Sequence, residues 1–426
     1  MQKKNKLVAL VFMFIFVINV FSKVIYAVNL PDFATIESSN KNVSVYTEQR
    51  RYKTAESSVE TAAVPTFNFK SESQILMEAS NGEVIYANNE NERLLPASVT
   101  KIMTILLVMD KIDSGGLRYT DTVTCSAAAS KMGGSQIWFK EGETLTIDEA
   151  LKCICVVSAN DVCYAVAELI GGSHENFVQM MNDKAKSLGM ENTHFMNAHG
   201  IDEDGHYTTA KDIAIMSKEL ITKHPDIIKY TTIWMDSIRG GKFGLSNTNK
   251  LLKTYNGLTG LKTGSTSKAM FNLSATAKRD NLNLIAVVLK APTSAIRNEE
   301  VTTLLNYGFS NYSSKVLGKK GEVLESININ KNIKDKVDIV FEKDECLILK
   351  KGDNVNYTKV VELEKGIKAP IEENKIVGKV KFIDEKNNII REANLVINKN
   401  IERSNFLDYL KNIVRNYEIC GLKNLT

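Results

Sequence analysis

Apolar and polar positions divide the chain into stretches of different period. Leu7 to Phe21 is apolar apart from Asn19, whereas residues 28–73 are polar with no sustained period, which predicts a linker or arm. The pattern changes at Gln74. Ile75-Leu76-Met77 and Val84-Ile85-Tyr86 flank Ser80-Asn81-Gly82-Glu83, a hairpin signal. From Ser98 to Lys111 the apolar positions Ile102, Met103, Ile105, Leu106 and Met109 keep helical spacing. Thr146-Ile147-Asp148-Glu149 reads as a capping box for a helix through Leu151 to Val157, and Val162 to Ile170 reads as another. Ser158-Ala159-Asn160-Asp161 is expected as a tight loop between them. Helices are also predicted over Phe177 to Leu188, Thr209 to Ile221 and Asn298 to Tyr307. Strands are predicted over Leu258 to Thr263, Phe271 to Lys278 and Leu282 to Leu289.

Helices lying between an early strand pair and a late strand set predict one antiparallel sheet built from both ends of an α/β (α+β) domain, residues 74–312. Short alternating segments from 315 to 399, separated by charged and glycine turns, predict a small all-β domain. In the tail, 400–426, Phe406, Leu407, Leu410, Ile413, Val414 and Tyr417 recur at helical spacing. They predict either an amphipathic anchor on a membrane surface or a helix packed on the β domain.

Composition and charge change this picture little. A net charge of +4 with no basic tract argues against a nucleic-acid binder. The N-terminus adds more. A basic Met1-to-Lys6, an apolar run and Ile25-Tyr26-Ala27 follow the order of a secretory signal, so residues 1–27 are expected to be cleaved and the rest exported. The apolar run is shorter than the ~20 residues that span a bilayer comfortably. The six cysteines show no metal-type spacing with histidine and are expected as buried packing residues.

The candidate chemistry begins at Leu95-Pro96-Ala97-Ser98-Val99-Thr100-Lys101. Residues three apart on a helix share a face, so the Lys101 amine can reach the Ser98 hydroxyl as an activating base. Ser-x-x-Lys alone is a weak signal, occurring at Ser38, Ser98 and Ser265; Ser-x-Asn occurs at Ser38, Ser158 and Ser326. Lys262-Thr263-Gly264 occurs once. The order is the stronger sign: Ser98/Lys101 opening a helix, Ser158/Asn160 between helices, Lys-Thr-Gly at the end of a strand. An acyl transfer needs a nucleophile, a base, a proton donor and an oxyanion site. Ser98 supplies the first. Lys101 can serve as base only if its pKa is pushed down, by burial and a second cation, for which Lys262 is the candidate. Ser158 can pass a proton to the leaving nitrogen, Asn160 can hold Lys101 or a substrate amide, and Thr263 can bond a carboxylate. Gly264 is expected to keep the strand edge open to a peptide.

These three elements resemble the Ser-x-x-Lys, Ser-x-Asn and Lys-Thr-Gly motifs of penicillin-binding proteins and serine β-lactamases. The flanks, Met77-Glu78-Ala79, Phe195 to Asp202 and Phe271-Asn272-Leu273, resemble the low-molecular-mass D-alanyl-D-alanine carboxypeptidases. The resemblance implies a β-lactamase/transpeptidase-like catalytic domain and a serine carboxypeptidase acting on peptidoglycan stem peptides that end in D-Ala-D-Ala. It also implies covalent inhibition by β-lactams and no cofactor or metal. It further implies oxyanion donors at the backbone N–H of Ser98 and Ser265, and a carboxylate contact at Arg297. One departure is Thr248, where some relatives carry arginine. Two other readings stay open: a β-lactamase, though no Glu-x-x-Leu-Asn lies between Asn160 and Lys262, and a non-catalytic β-lactam sensor or wall-binding module. His199 and His206 flank an acidic loop, but consecutive Asp202, Glu203 and Asp204 do not alternate as in a calcium loop.

Overall fold

The computed structural model describes residues 43–46, 66–329, 332, 336–409 and 411. The predicted signal segment and most of the predicted tail helix lie outside them.

The strand Leu282–Ala291 sits in the middle of a five-stranded antiparallel sheet, in the order Val84–Asn88, Ser73–Glu78, Leu282–Ala291, Met270–Arg279, Leu258–Thr266. Early and late segments therefore share one sheet. Alternate side chains of a strand point to opposite faces. Ile285, Val287 and Leu289 join Ile75, Met77 and the helical half in one core. Leu284, Ala286 and Val288 join Val301, Leu304 and Leu305 of the helix Ser294–Asn311 in a second. With both faces covered, this strand reads as a near-continuous apolar run.

On the first face, the helix Lys101–Asp113 is buried from Lys101 to Met109 and packs with Ala210–Lys223, capped by Thr209, and Asn160–Gly171. Such all-round burial belongs to a central helix. The capping box forms: Thr146 Oγ1 accepts from Glu149 N, and Glu149 accepts from Thr146 N. The helix Ile147–Lys152 then widens into a π-turn over Cys153–Val157.

The β domain has a six-stranded antiparallel sheet and a separate strand pair, Tyr312–Gly318 with Glu345–Lys350. Phe341, Phe382, Val380 and Leu395 fill its core. Its first strand, Tyr312–Gly318, continues directly from the helix Ser294–Asn311.

The expectation of an arm without elements over 28–73 needs correction. Val43–Tyr46 pairs with Thr358–Leu363 and forms the edge of the six-stranded sheet. An unpaired sheet edge can recruit any extended segment through backbone bonds alone, so four residues in a polar context leave no period to read. Phe67 and Phe69, also in that stretch, stack on each other and meet Tyr86 and Tyr307 edge-on or close to it.

Candidate active site

Ser98 lies in a single 3-10 turn, Ala97–Thr100, that feeds the helix beginning at Lys101. The expected helix thus starts three residues later, and the serine stands on its entry turn. Two glycines allow the turn its surroundings. A Cβ at Gly200, where φ is +88°, would fall 1.9 Å from Ala97 O. A Cβ at Gly264 would fall 2.9 Å from Pro96 O, Ser98 N and Val99 N. Gly264 stands on the outer strand of the sheet and lines the cleft, and its missing side chain also admits the Ser98 turn.

Lys101 is 0% exposed. Its Nζ lies 3.1 Å from Ser98 Oγ and donates to Asn160 Oδ1 at 2.6 Å and His199 O at 2.5 Å. A neutral amine has two N–H donors and one lone pair. Two partners here can only accept, so the lone pair of the neutral form faces the hydroxyl, which can donate. Asn160 opens the helix Asn160–Gly171 rather than lying in a loop; its Nδ2 donates to Gly133 O, which turns Oδ1 to the lysine. Ser158, expected in the same loop, caps the π-turn with φ +64°. A non-glycine residue in this region is a strained placement of the kind that gathers at functional sites. Its Oγ is buried without a protein partner.

Lys262 is 1% exposed, and its Nζ donates to Thr263 O at 2.8 Å. Thr263 Oγ1 shares a 2.7 Å hydrogen bond with Thr248 Oγ1. Ser98, Ser158, Thr263, Gly264, Ser265 and Arg297 line one cleft of about 200 Å³, with Thr248 beside them. Lys101, Asn160 and Lys262 stand behind its wall, so all nine candidates converge. Arg297, in the first turn of the helix Ser294–Asn311, is buried rather than a surface residue. Burial lowers it to about 10, which leaves it cationic at neutral pH at the positive end of an 18-residue helix.

Burial lowers Lys101 to about 8 and Lys262 to about 7, with repulsion from Lys101 adding to the effect on Lys262. The expected depression of Lys101 is present with burial as its first cause, and because the two amines repel each other they titrate as a coupled pair.

Other contacts here left no sequence signal. Asn272 Nδ2 donates to Leu95 O and Pro96 O while its Oδ1 accepts from Lys290 N, tying the turn to two strands. His199 contributes a carbonyl, and no side-chain motif announces a carbonyl. His206 Nδ1 accepts from Met196 N, so Nε2 carries the proton and donates to Thr100 Oγ1. Burial holds His199 near about 3 and His206 near about 4, so both are neutral. The described cysteines are free and buried, and burial raises Cys155 to about 12, out of nucleophilic range.

The model of the D-alanyl-D-alanine carboxypeptidase family matches residues 58–293, and that of the penicillin-binding protein 5 C-terminal domain matches 312–403. The chain is 39% identical over 346 residues to the D-alanyl-D-alanine carboxypeptidase DacF of Bacillus subtilis, covering 80% of this chain and 88% of that one. It is 32% identical to DacA of Escherichia coli, covering 80% and 87%. Penicillin-binding protein 5 from Haemophilus influenzae superposes with a TM-score of 0.64 at 29% identity, covering 80% of this chain and 99% of that one. Penicillin-binding protein D2 from Listeria monocytogenes, solved in an ampicillin-bound form, superposes with a TM-score of 0.53 at 29% identity, covering 57% and 99%. The mixed catalytic fold, the all-β domain behind it and these matches agree, and the chain belongs to the D-alanyl-D-alanine carboxypeptidase family of peptidases.

Proposed function

We propose that this carboxypeptidase works through a Ser98 acyl-enzyme. The observation that carries the reading is the Lys101 amine, sealed from water and held by two acceptor-only partners besides Ser98. Arg297 and Thr263 hold the terminal carboxylate of a D-Ala-D-Ala stem peptide. Ser98 Oγ attacks the carbonyl between the two D-alanines, and its proton passes to neutral Lys101. The backbone N–H groups of Ser98 and Ser265 receive the oxyanion. Ser158, whose hydroxyl has no competing partner, relays that proton from Lys101 to the leaving nitrogen, which returns Lys101 to its neutral form. D-Alanine departs, and water, deprotonated by the same amine, frees the shortened peptide. Arg297, cationic at neutral pH, keeps the cleft electropositive for an incoming carboxylate, and Lys262 adds to this below about 7. A β-lactam, as an amide of similar shape, acylates the same serine.

The reading includes export by the 1–27 signal and action on wall peptide outside the cytoplasmic membrane. Exposed Phe406, Leu407 and Tyr409 at the start of the tail support a surface anchor over a packed helix. Among the described residues no helix is long and apolar enough to cross a membrane. Deleting 401–426 should release the protein from membranes; unchanged pelleting would place the anchor elsewhere.

Ser98→Ala should abolish both D-alanine release from a D-Ala-D-Ala pentapeptide and labelling by fluorescent penicillin, read by mass spectrometry. A penicillin adduct on another residue of that variant would overturn the nucleophile.

A further inference from the structure

A second cleft, of about 630 Å³, opens between the catalytic unit and the β domain. Glu78, Lys218, Lys278 and Asn283 face it from one side, Lys319 and Lys320 from the other. Glu78 is 0% exposed. Its Oε2 accepts from Ser80 N, Ser80 Oγ and Asn81 N, while its Oε1 is buried with no protein partner. Asn283 Oδ1 is buried and unpartnered in the same way. The floor of the cleft therefore offers two acceptors that lack donors.

Its walls offer the reverse. Among the described residues Lys218, Lys278, Lys319 and Lys320 form no ion pair. The other carboxylates that line the cleft already have partners: Glu219 has Lys184 and Lys223, Glu342 has Asn394, and Asp344 accepts from the Lys320 backbone N–H. Half-buried Lys218 is lowered by burial and by Lys343 close by. A simple cation would meet these lysines. A simple anion would leave Glu78 and Asn283 unpaired. The ligand that answers both carries hydroxyl donors and a negative group. Among the described residues no arginine lines the cleft to grip a planar carboxylate with a fork, whereas lysine serves a tetrahedral phosphate as a point charge.

We propose that the cleft between the two domains binds a polyol phosphate of the glycerol-phosphate type, its hydroxyls on Glu78 and Asn283 and its phosphate among Lys218, Lys319 and Lys320. The same chemistry occurs in a soluble polyol-phosphate chain and in a glycerophospholipid headgroup. The site is separate from the Ser98 cleft, so its occupation leaves penicillin access unchanged.

Calorimetric titration of the full chain with glycerol 3-phosphate, inorganic phosphate and glycerol tests this. Glycerol 3-phosphate should bind saturably and at least tenfold tighter than the other two. Lys319→Gln with Lys320→Gln, both on exposed positions, should weaken it at least tenfold. Glu78→Gln turns an acceptor into a donor and should weaken glycerol 3-phosphate while sparing inorganic phosphate; Asn283→Ser, a milder change, should act the same way if Glu78→Gln fails to fold. Absence of saturable binding, equal affinity for inorganic phosphate, or slowed penicillin labelling at saturation would overturn the proposal. A glycerol phosphate oligomer and phosphatidylglycerol vesicles, with phosphatidylcholine as control, then separate the sources. Capture by either, lost in the double lysine variant, assigns the source; capture by neither overturns the site.

Discussion

Two clefts of this molecule carry lysines and treat them in opposite ways. Behind the Ser98 cleft, Lys101 and Lys262 are 0% and 1% exposed, and each amine contacts named acceptors. In the interdomain cleft Lys278, Lys319 and Lys320 stand in solvent, without ion pairs among the described residues. The difference lies in what the protein does with water. Stripped of water and given two acceptors, a lysine becomes a base with its lone pair aimed. Left in water, the same side chain remains a hydrated point charge suited to attracting anions.

The strongest way to break the comparison is to remove the aimed amine. Lys101→Met keeps the apolar stem in its buried slot and deletes the base. The rate of acylation by fluorescent penicillin should fall by roughly 10²–10⁴-fold, the usual contribution of a positioned acid–base group. A fall of only a few-fold would mean that another group takes the Ser98 proton, and the contrast between the two clefts would lose its chemical meaning.

A smaller effect is expected from disturbing the frame while leaving the amine in place. Gly264→Ala would set a methyl group 2.9 Å from three backbone atoms of the Ser98 turn. The turn must move, and displacements of about 1 Å at a reacting centre cost on the order of 10²-fold in rate. Overpacking also costs about 1–3 kcal/mol of stability. Acylation rate and urea midpoint, measured on one preparation, should both drop; an unchanged rate would show that the strand and the turn are not rigidly coupled.

The contrast also explains what was legible beforehand. The paired strands, the capping box at Thr146 and the order of the three motifs are local patterns, and each appears where its spacing predicts. Ser98, Lys101, Ser158, Asn160 and Lys262 meet because side-chain chemistry is written in residue identity. His199 O, Gly133 O and the Pro96 carbonyl held by Asn272 act through backbone, which every residue possesses, so their positions depend on the fold. The strand Val43–Tyr46 escaped notice for the same reason, since its partner lies more than 300 residues away and is joined through main-chain bonds. The weight of burial in depressing Lys101 was out of reach as well, since no spacing encodes depth.

The coupled lysine pair gives the finest test. Both amines are held below their ordinary value of 10.5, so between about 7 and 10.5 the unfolded chain binds more protons than the folded one. Stability contributed by this pair therefore rises with pH across that window and is lowest below it, where two ammonium groups are buried together. Acylation should rise with pH through about 8, as Lys101 loses its proton. Lys262→Met removes the amine that repels the Lys101 ammonium and should move that limb to higher pH. Lys262→Arg installs a permanent cation beside Lys101, disfavours the Lys101 ammonium and should move the limb to lower pH. Rates of penicillin acylation from pH 6 to 9.5 distinguish the cases. A limb that stays in place in Lys262→Met would show that burial alone depresses Lys101.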